Sequence, residues 1–339
     1  MLNSRTFTGR VFIFLLMVSA FFLFGYALDF VLLVFAGMLF AVLLSSGANA
    51  ISSRFKIKYK IGVGIVLLIM VILITLVVLL LGPSLSDQID EMIEVLPKSI
   101  ASLEDKMKES QLGRRLLDEI PDDPAKVIDN EKAVQKIGGA FSALLGVAAN
   151  IVIVLVVGIF LAIDPVMYRR GFVRLFPPDK RKRIDDVLIK CYDSLSSWLL
   201  AQAMSMSIVG IATGIGLMLL GMPLAWALAL MAFLFAFIPN IGPYIALAPA
   251  VLIALMEGPD MALYVVILYF SIQIVESYLI TPLIQKKMVN IPPALLLLWQ
   301  VMFGLFAGIA GLFLATPILA ATMVLVKELY VKDKLESNS

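Results

Sequence analysis

Histidine is absent from this 339-residue chain. With it go the commonest metal ligand and general base, the HExxH zinc motif and any Ser-His-Asp triad. Cysteine occurs once, as Cys191, so no disulfide framework can form within the chain. No GxxxxGKS or GxxxxGKT sequence occurs, which excludes a P-loop of its own. Charge is scarce: 15% of residues are Asp, Glu, Lys or Arg, and the net charge of +2 gives no field that would attract nucleic acid. The sequence calls for no cofactor and no resident metal. It offers no nucleophile–base pair for an enzyme.

What remains is apolar. Hydrophobic residues make up 61% of the chain and the mean hydropathy is +1.00, whereas soluble domains run near 45–50% apolar. Lipid must be the solvent for most of it. The expectation is an all-α polytopic membrane protein. A bilayer core needs about 20 apolar residues per helix, and six runs qualify as full spans: 11–28, 30–47, 61–81, 147–163, 198–220 and 261–280. Asp29 alone separates the first two, which suggests a tight turn there. The organisation expected is three N-terminal transmembrane helices over 1–82, an extracytoplasmic segment over 83–140, a core over 141–330 with a cytoplasmic loop at 165–195, and a tail over 331–339.

Basic residues favour cytoplasmic loops. Arg5 and Arg10; Arg54, Lys56, Lys58 and Lys60; the run from Arg169 to Lys190; Lys286 and Lys287; and Lys327, Lys332 and Lys334 all fall on one face if both termini are cytoplasmic. The segment 83–140 carries thirteen Asp/Glu against eight Lys/Arg and belongs outside.

That parity holds only if two further apolar segments are hairpins that re-enter on one side, over 223–257 and 292–326. The first is broken by Pro239, Asn240, Gly242 and Pro243, because proline removes a donor and cannot continue a helix. The second is interrupted around Gly304, Gly308 and Gly311, with Pro317 beyond as a further break. The two can be laid side by side, Gly242 over Gly311, as an inverted repeat. In many secondary transporters such broken helices meet near the midplane and expose backbone groups to substrate or ion. Two kinked helices in a tight bundle are the plainer reading.

Ionisable groups inside a span are rare and mark function. Glu276 is the one carboxylate well inside an apolar run, with Gln273 one turn earlier on the same face. It is a candidate for proton exchange or cation binding, or else an interfacial carboxylate paired with Lys286 or Lys287. Asn240 and Gln300 are the other candidates for substrate or ion contact. Gln202 reads as interhelical glue, and Asp29 and Asp164 as solvated span ends.

Outside the bilayer, Ile89, Met92, Ile93, Leu96, Ile100, Leu103 and Met107 recur at helical spacing. An amphipathic helix there has an apolar face for the external mouth, for itself, or for a second copy in a homo-oligomer. Arg169, Arg170, Phe172, Val173, Leu175 and Phe176 read as an interfacial segment beside anionic headgroups, or as a plain connector.

The run Phe237-Ile238-Pro239-Asn240-Ile241-Gly242-Pro243-Tyr244 and the following Ala248-Pro249-Ala250 resemble the hallmark of the AI-2E family, named for export of the signal autoinducer-2. Gln273 through Glu276 and Pro282 to Pro293, the Gly308-Ile309-Ala310-Gly311 run with Pro317, and Pro177-Pro178-Asp179-Lys180-Arg181 fit the same pattern. The resemblance implies a bacterial or archaeal cytoplasmic-membrane protein. It implies a transporter whose relatives are associated with autoinducer-2 export or with sodium/proton antiport. Three readings follow: an exporter of a small polar metabolite, a Na+(Li+)/H+ antiporter using Glu276, and a membrane scaffold without transport.

Overall fold

The computed structural model describes residues 4–109, 149–280 and 291–336, and no strand occurs among them. The chain is an all-helical polytopic membrane protein. Among the described residues five helices are long and apolar enough to cross a bilayer, or six if one bent pair is a single span.

The first element corrects an expectation. α1 runs unbroken from Ser4 to Phe55, so there is no turn at Asp29. Neither proline nor a positive-φ residue interrupts this stretch, and one aspartate side chain leaves the backbone ladder intact. At 52 residues the helix is ~78 Å long, over twice the ~30 Å apolar core of a bilayer; its described span is Leu28–Phe55. α2, Tyr59–Glu109, is continuous too. Its span, Tyr59–Leu79, passes without a break into the amphipathic stretch. The rest of that expected segment, 110–140, lies outside the described residues.

α3 (Ala149–Ile163) and α4 (Pro165–Val173) meet at an 86° bend. Asp164 stands at the corner and caps α4 by accepting from the Met167 N–H at 3.1 Å. α5 is a 39-residue rod, Arg181–Leu219, so the expected loop at 165–195 is mostly helical. Two short helices follow, α6 (Ala225–Phe235) and α7 (Gly242–Glu257). At 11 and 16 residues they reach only ~17 and ~24 Å, neither a full crossing. α8 (Pro259–Val275) passes at Glu276 into a π turn, Glu276–Ile280. α9 spans Pro293–Leu325, and a π-helical segment, Val326–Leu335, ends the described chain.

α9 is not one rod. Ala307 (φ −131°, ψ 16°) and Gly308 (φ +57°, ψ −143°) leave helical space. In a straight helix residues eight and sixteen apart lie ~12 and ~24 Å apart along the axis. Here a methyl on Gly304 would sit 3.7 Å from the Leu312 side chain, and the Gln300 amide donates to Thr316 Oγ1 at 3.3 Å. The chain therefore doubles back, and 293–306 and 309–325 are the arms of a hairpin. Pro317, expected among the breaks, instead lies inside the second arm.

Two cores hold the bundle. Val209, Leu217, Leu224, Leu228, Ala246, Ala250, Ile253 and Val265 join α5, α6, α7 and α8, with Ile89, Met92 and Val95 of α2 packed against them. Ala41, Leu44, Ala48, Val63 and Ala162 join α1, α2 and α3. The amphipathic face of α2 thus docks on the first hairpin. There Gln88 Oε1 accepts from the N–H groups of Trp226 and Ala227, both at 3.1 Å, satisfying two orphan donors at the start of α6.

Candidate functional site

The turns of the two hairpins are made alike. A methyl on Gly242 would collide with the carbonyl of Phe235, and one on Gly311 with the carbonyl of Phe303. In each case the first arm ends on a carbonyl that lies against the glycine opening the second arm, so only a residue without Cβ fits. These are the two glycines that the sequence lays side by side. Pro243 falls in the first turn of α7, where its missing N–H is no loss. Pro239 lies in the break, and Asn240 beside it takes a left-handed conformation (φ +67°), which asparagine tolerates better than most residues. The Asn240 side chain is exposed; its observed contribution is to the backbone.

The hairpins enter from opposite ends of α5. The open end of the first, at Met222 and Leu224, shares a cluster with Leu217 near the C-terminus of α5. The open end of the second leads to Glu328, which is bound to Arg183 and Lys190 near the N-terminus of α5. Between these ends, Gln202 Nε2 donates to the Ala236 carbonyl in the first break. Gln202 lies ~29 Å from Arg183 and ~23 Å from Leu217 along the helix axis, about halfway.

The hairpins then touch. Gln300, fully buried, donates through Nε2 to the carbonyl of Pro239 at 3.0 Å as well as to Thr316. The Pro239 carbonyl fixes the amide's orientation, because the flipped amide would set oxygen against oxygen. Gln300 Oε1 is then buried without a hydrogen-bond partner among the described residues, a state that costs about 1–3 kcal/mol in a buried acceptor. Phe237 of the first break stacks on Phe313 of the second hairpin (5.5 Å, 21°) and meets Trp198 of α5 edge-on (5.4 Å).

Glu276 joins this belt through α5. Ser205, three residues from Gln202 and on the same helix face, donates to Glu276 Oε1 at 2.8 Å. Gln273 Nε2 donates to Glu276 Oε2 at 3.1 Å and Ser277 Oγ to the same oxygen at 3.3 Å. The carboxylate opens a π turn, a geometry found often at functional sites. Pro282, Lys286 and Lys287 lie outside the described residues. Hydroxyls and amides thus run from Glu276 through Ser205 and Gln202 to the first break, and from Pro239 through Gln300 to Thr316. No group of three or more Cys, Asp or Glu residues suited to a metal ion occurs among the described residues.

Sequence reasoning missed Ser205, Thr316 and the Trp198–Phe237–Phe313 contact. Ser205 had one signal, its one-turn spacing from Gln202. Also missed was the ion cluster beyond the second hairpin: Glu328 meets Arg183 at 3.0 Å, Lys190 at 2.7 Å and Lys332 at 2.8 Å, and Arg183 reaches Asp333 at 2.9 Å. Lys190, then Lys332 and Arg183, hold this carboxyl at about 2, against the burial that pushes it up. A cavity of about 580 Å³ lies beside the second hairpin, with Asp29 and Asn150 among apolar walls that include Leu32, Ala310 and Leu314.

The sequence profile of AI-2E family transporters matches residues 11–331. The chain is 26% identical over 277 residues to the candidate transport protein YueF of Bacillus subtilis strain 168, an alignment covering 76% of this chain and 75% of that one. It is 32% identical over 152 residues to the candidate transport protein YrrI of the same organism, covering 45% and 43%. It is 34% identical over 148 residues to the candidate transport protein MT0215 of Mycobacterium tuberculosis, covering 43% and 40%.

Proposed function

The chain belongs to the AI-2E transporter family, and on that premise we propose that it is a secondary transporter, not an enzyme, which exports a small polar metabolite or signalling molecule. One observation carries this reading: two broken hairpins enter from opposite ends of α5 and are tied, break to arm, by the buried Gln300. Opposed broken helices that meet within the membrane are where secondary transporters bind substrate. In this reading Gln300 and the break at Pro239–Gly242 line the substrate path, and Glu276 carries the coupling proton. In this reading the protein sits in a bacterial or archaeal cytoplasmic membrane with its C-terminus in the cytoplasm. α1 crosses once without a turn, so the N-terminus lies on the opposite face and not, as its arginines led us to expect, beside the other basic loops.

A second reading, Na+(Li+)/H+ antiport, is favoured by the convergence of Ser205 and Ser277 hydroxyls on the Glu276 carboxylate, since hydroxyl and carboxylate oxygens suit a hard cation. Purified protein in proteoliposomes separates the two. Metabolite efflux without sodium-dependent alkalinisation of an acid-loaded lumen supports the exporter, and the reverse supports antiport. Glu276→Gln is expected to lower the rate at least tenfold and to flatten its pH profile. Unchanged rate and profile would remove Glu276 from the mechanism.

A further inference from the structure

The transport reading leaves unused a basic corner of the molecule. α3 is apolar and outward-facing, with Ile151, Val152 and Phe160 exposed. The 86° bend at Asp164 therefore turns α4 from the direction of a span into the plane of the bilayer surface. Val166, Met167 and Phe172 on it and Leu175 just beyond it are exposed, the last 79%, side chains that in water would be an unpaired liability.

Eight basic residues lie between 169 and 190, and they divide into two groups. Arg169 is bound to Asp185 at 2.9 Å. Arg181 is spent on the carbonyls of Phe176 and Arg174, which fixes the loop. Arg183 and Lys190 hold Glu328. The other four, Arg170, Arg174, Lys180 and Lys182, have no acidic partner among the described residues. The acids near them are Asp164, engaged as a cap, and Asp179 and Asp186, both exposed.

Arg170 and Arg174 are four residues apart on one helical face, and Arg174 keeps helical φ/ψ. Like charges at that spacing destabilise a helix unless an anion lies between them. Met167 precedes them on the same face, one turn earlier. A guanidinium pair beside exposed apolar residues, at the height where a span ends, matches a phosphodiester whose acyl chains run into the bilayer.

We propose that α4, the 174–180 loop and the first turn of α5 form a docking surface for anionic phospholipid. Arg170 and Arg174 grip the phosphate, Lys180 and Lys182 add attraction for the net negative headgroup, and Met167, Phe172 and Leu175 sit among the acyl chains. The test offers the purified full chain, in mild detergent, equal amounts of phosphatidylglycerol and phosphatidylcholine and quantifies bound lipid by mass spectrometry. Phosphatidylglycerol is expected to be enriched about fivefold, an advantage like that of one or two surface cations. R170Q/R174Q brings the ratio to within twofold of unity, whereas K58Q/K60Q, on another basic loop, leaves it unchanged. R170K/R174K, which keeps the charge and guards against misfolding, retains an intermediate ratio. Excess inorganic phosphate leaves the lipid in place. Undiminished enrichment in R170Q/R174Q that elutes and folds like the wild type would overturn the assignment. So would displacement by phosphate, which would mark a free-anion site instead.

Discussion

Both hairpins turn on a carbonyl laid against a glycine, but their surroundings differ. The first is enclosed: Ala225, Ala227, Leu228, Ala246, Ala250 and Ile253 are all buried in one cluster shared with α2, α5 and α8. The second is enclosed on one side only. Its later arm buries Ala315, Thr316, Leu319 and Ala320, whereas Leu298, Leu305 and Phe306 of its first arm are 70–82% exposed. The same backbone device thus serves as scaffold in one hairpin and as a bare-sided arm in the other. Tightly packed surroundings transmit strain, and open ones absorb it. Substitutions in the first hairpin should therefore register as lost stability, and those in the second mainly as altered transport.

The two glycines test this most sharply. Gly242→Ala drives a methyl into the Phe235 carbonyl within the closed cluster and should cost at least about 3 kcal/mol, at the upper end of overpacking. Gly311→Ala makes the equivalent collision, but the first arm can shift toward its open side, so about 1–2 kcal/mol is expected. Thermal unfolding in detergent measures both. Equal losses would mean that the surroundings do not matter and the comparison fails.

The ties at the open ends extend the comparison. Glu328→Gln leaves Arg183, Lys190 and Lys332 around a neutral group and should cost about 2 kcal/mol, below the figure for a fully buried pair because the cations are partly exposed. Since the Glu328 carboxyl is held below its ordinary value, its contribution is complete above about pH 4.5 and is lost as pH falls toward about 2. A wild-type acid transition that Glu328→Gln lacks would bear this out. Gln88→Ala removes two hydrogen bonds at the start of α6 and should cost about 1 kcal/mol, the usual size of a lost cap.

Much of this was legible in the sequence. The apolar runs and the proline–glycine interruptions located the hairpins, and the pairing of Gly242 with Gly311 anticipated their matching turns. The Asp29 turn was misread because a lone polar residue in an apolar run looks like a loop in hydropathy, yet carries no backbone penalty. Pro317 was misread as a break because a proline ends a helix only where its neighbours do not hold the two sides together; here Thr316 and Ala320 are packed in the bundle. The ties through Ser205, Thr316 and Glu328 join residues far apart in the chain, and no local pattern announces them.

The account rests on opposed entry of the two hairpins, and cysteine accessibility tests it directly. In a Cys191→Ser background, single cysteines at Pro223, Glu257, Ala294 and Lys327 are probed in sealed vesicles with an impermeant maleimide added to one side and then the other. The account predicts that 223 and 257 react from one face and 294 and 327 from the opposite face. Labelling of the two ends of either hairpin from different faces would contradict it.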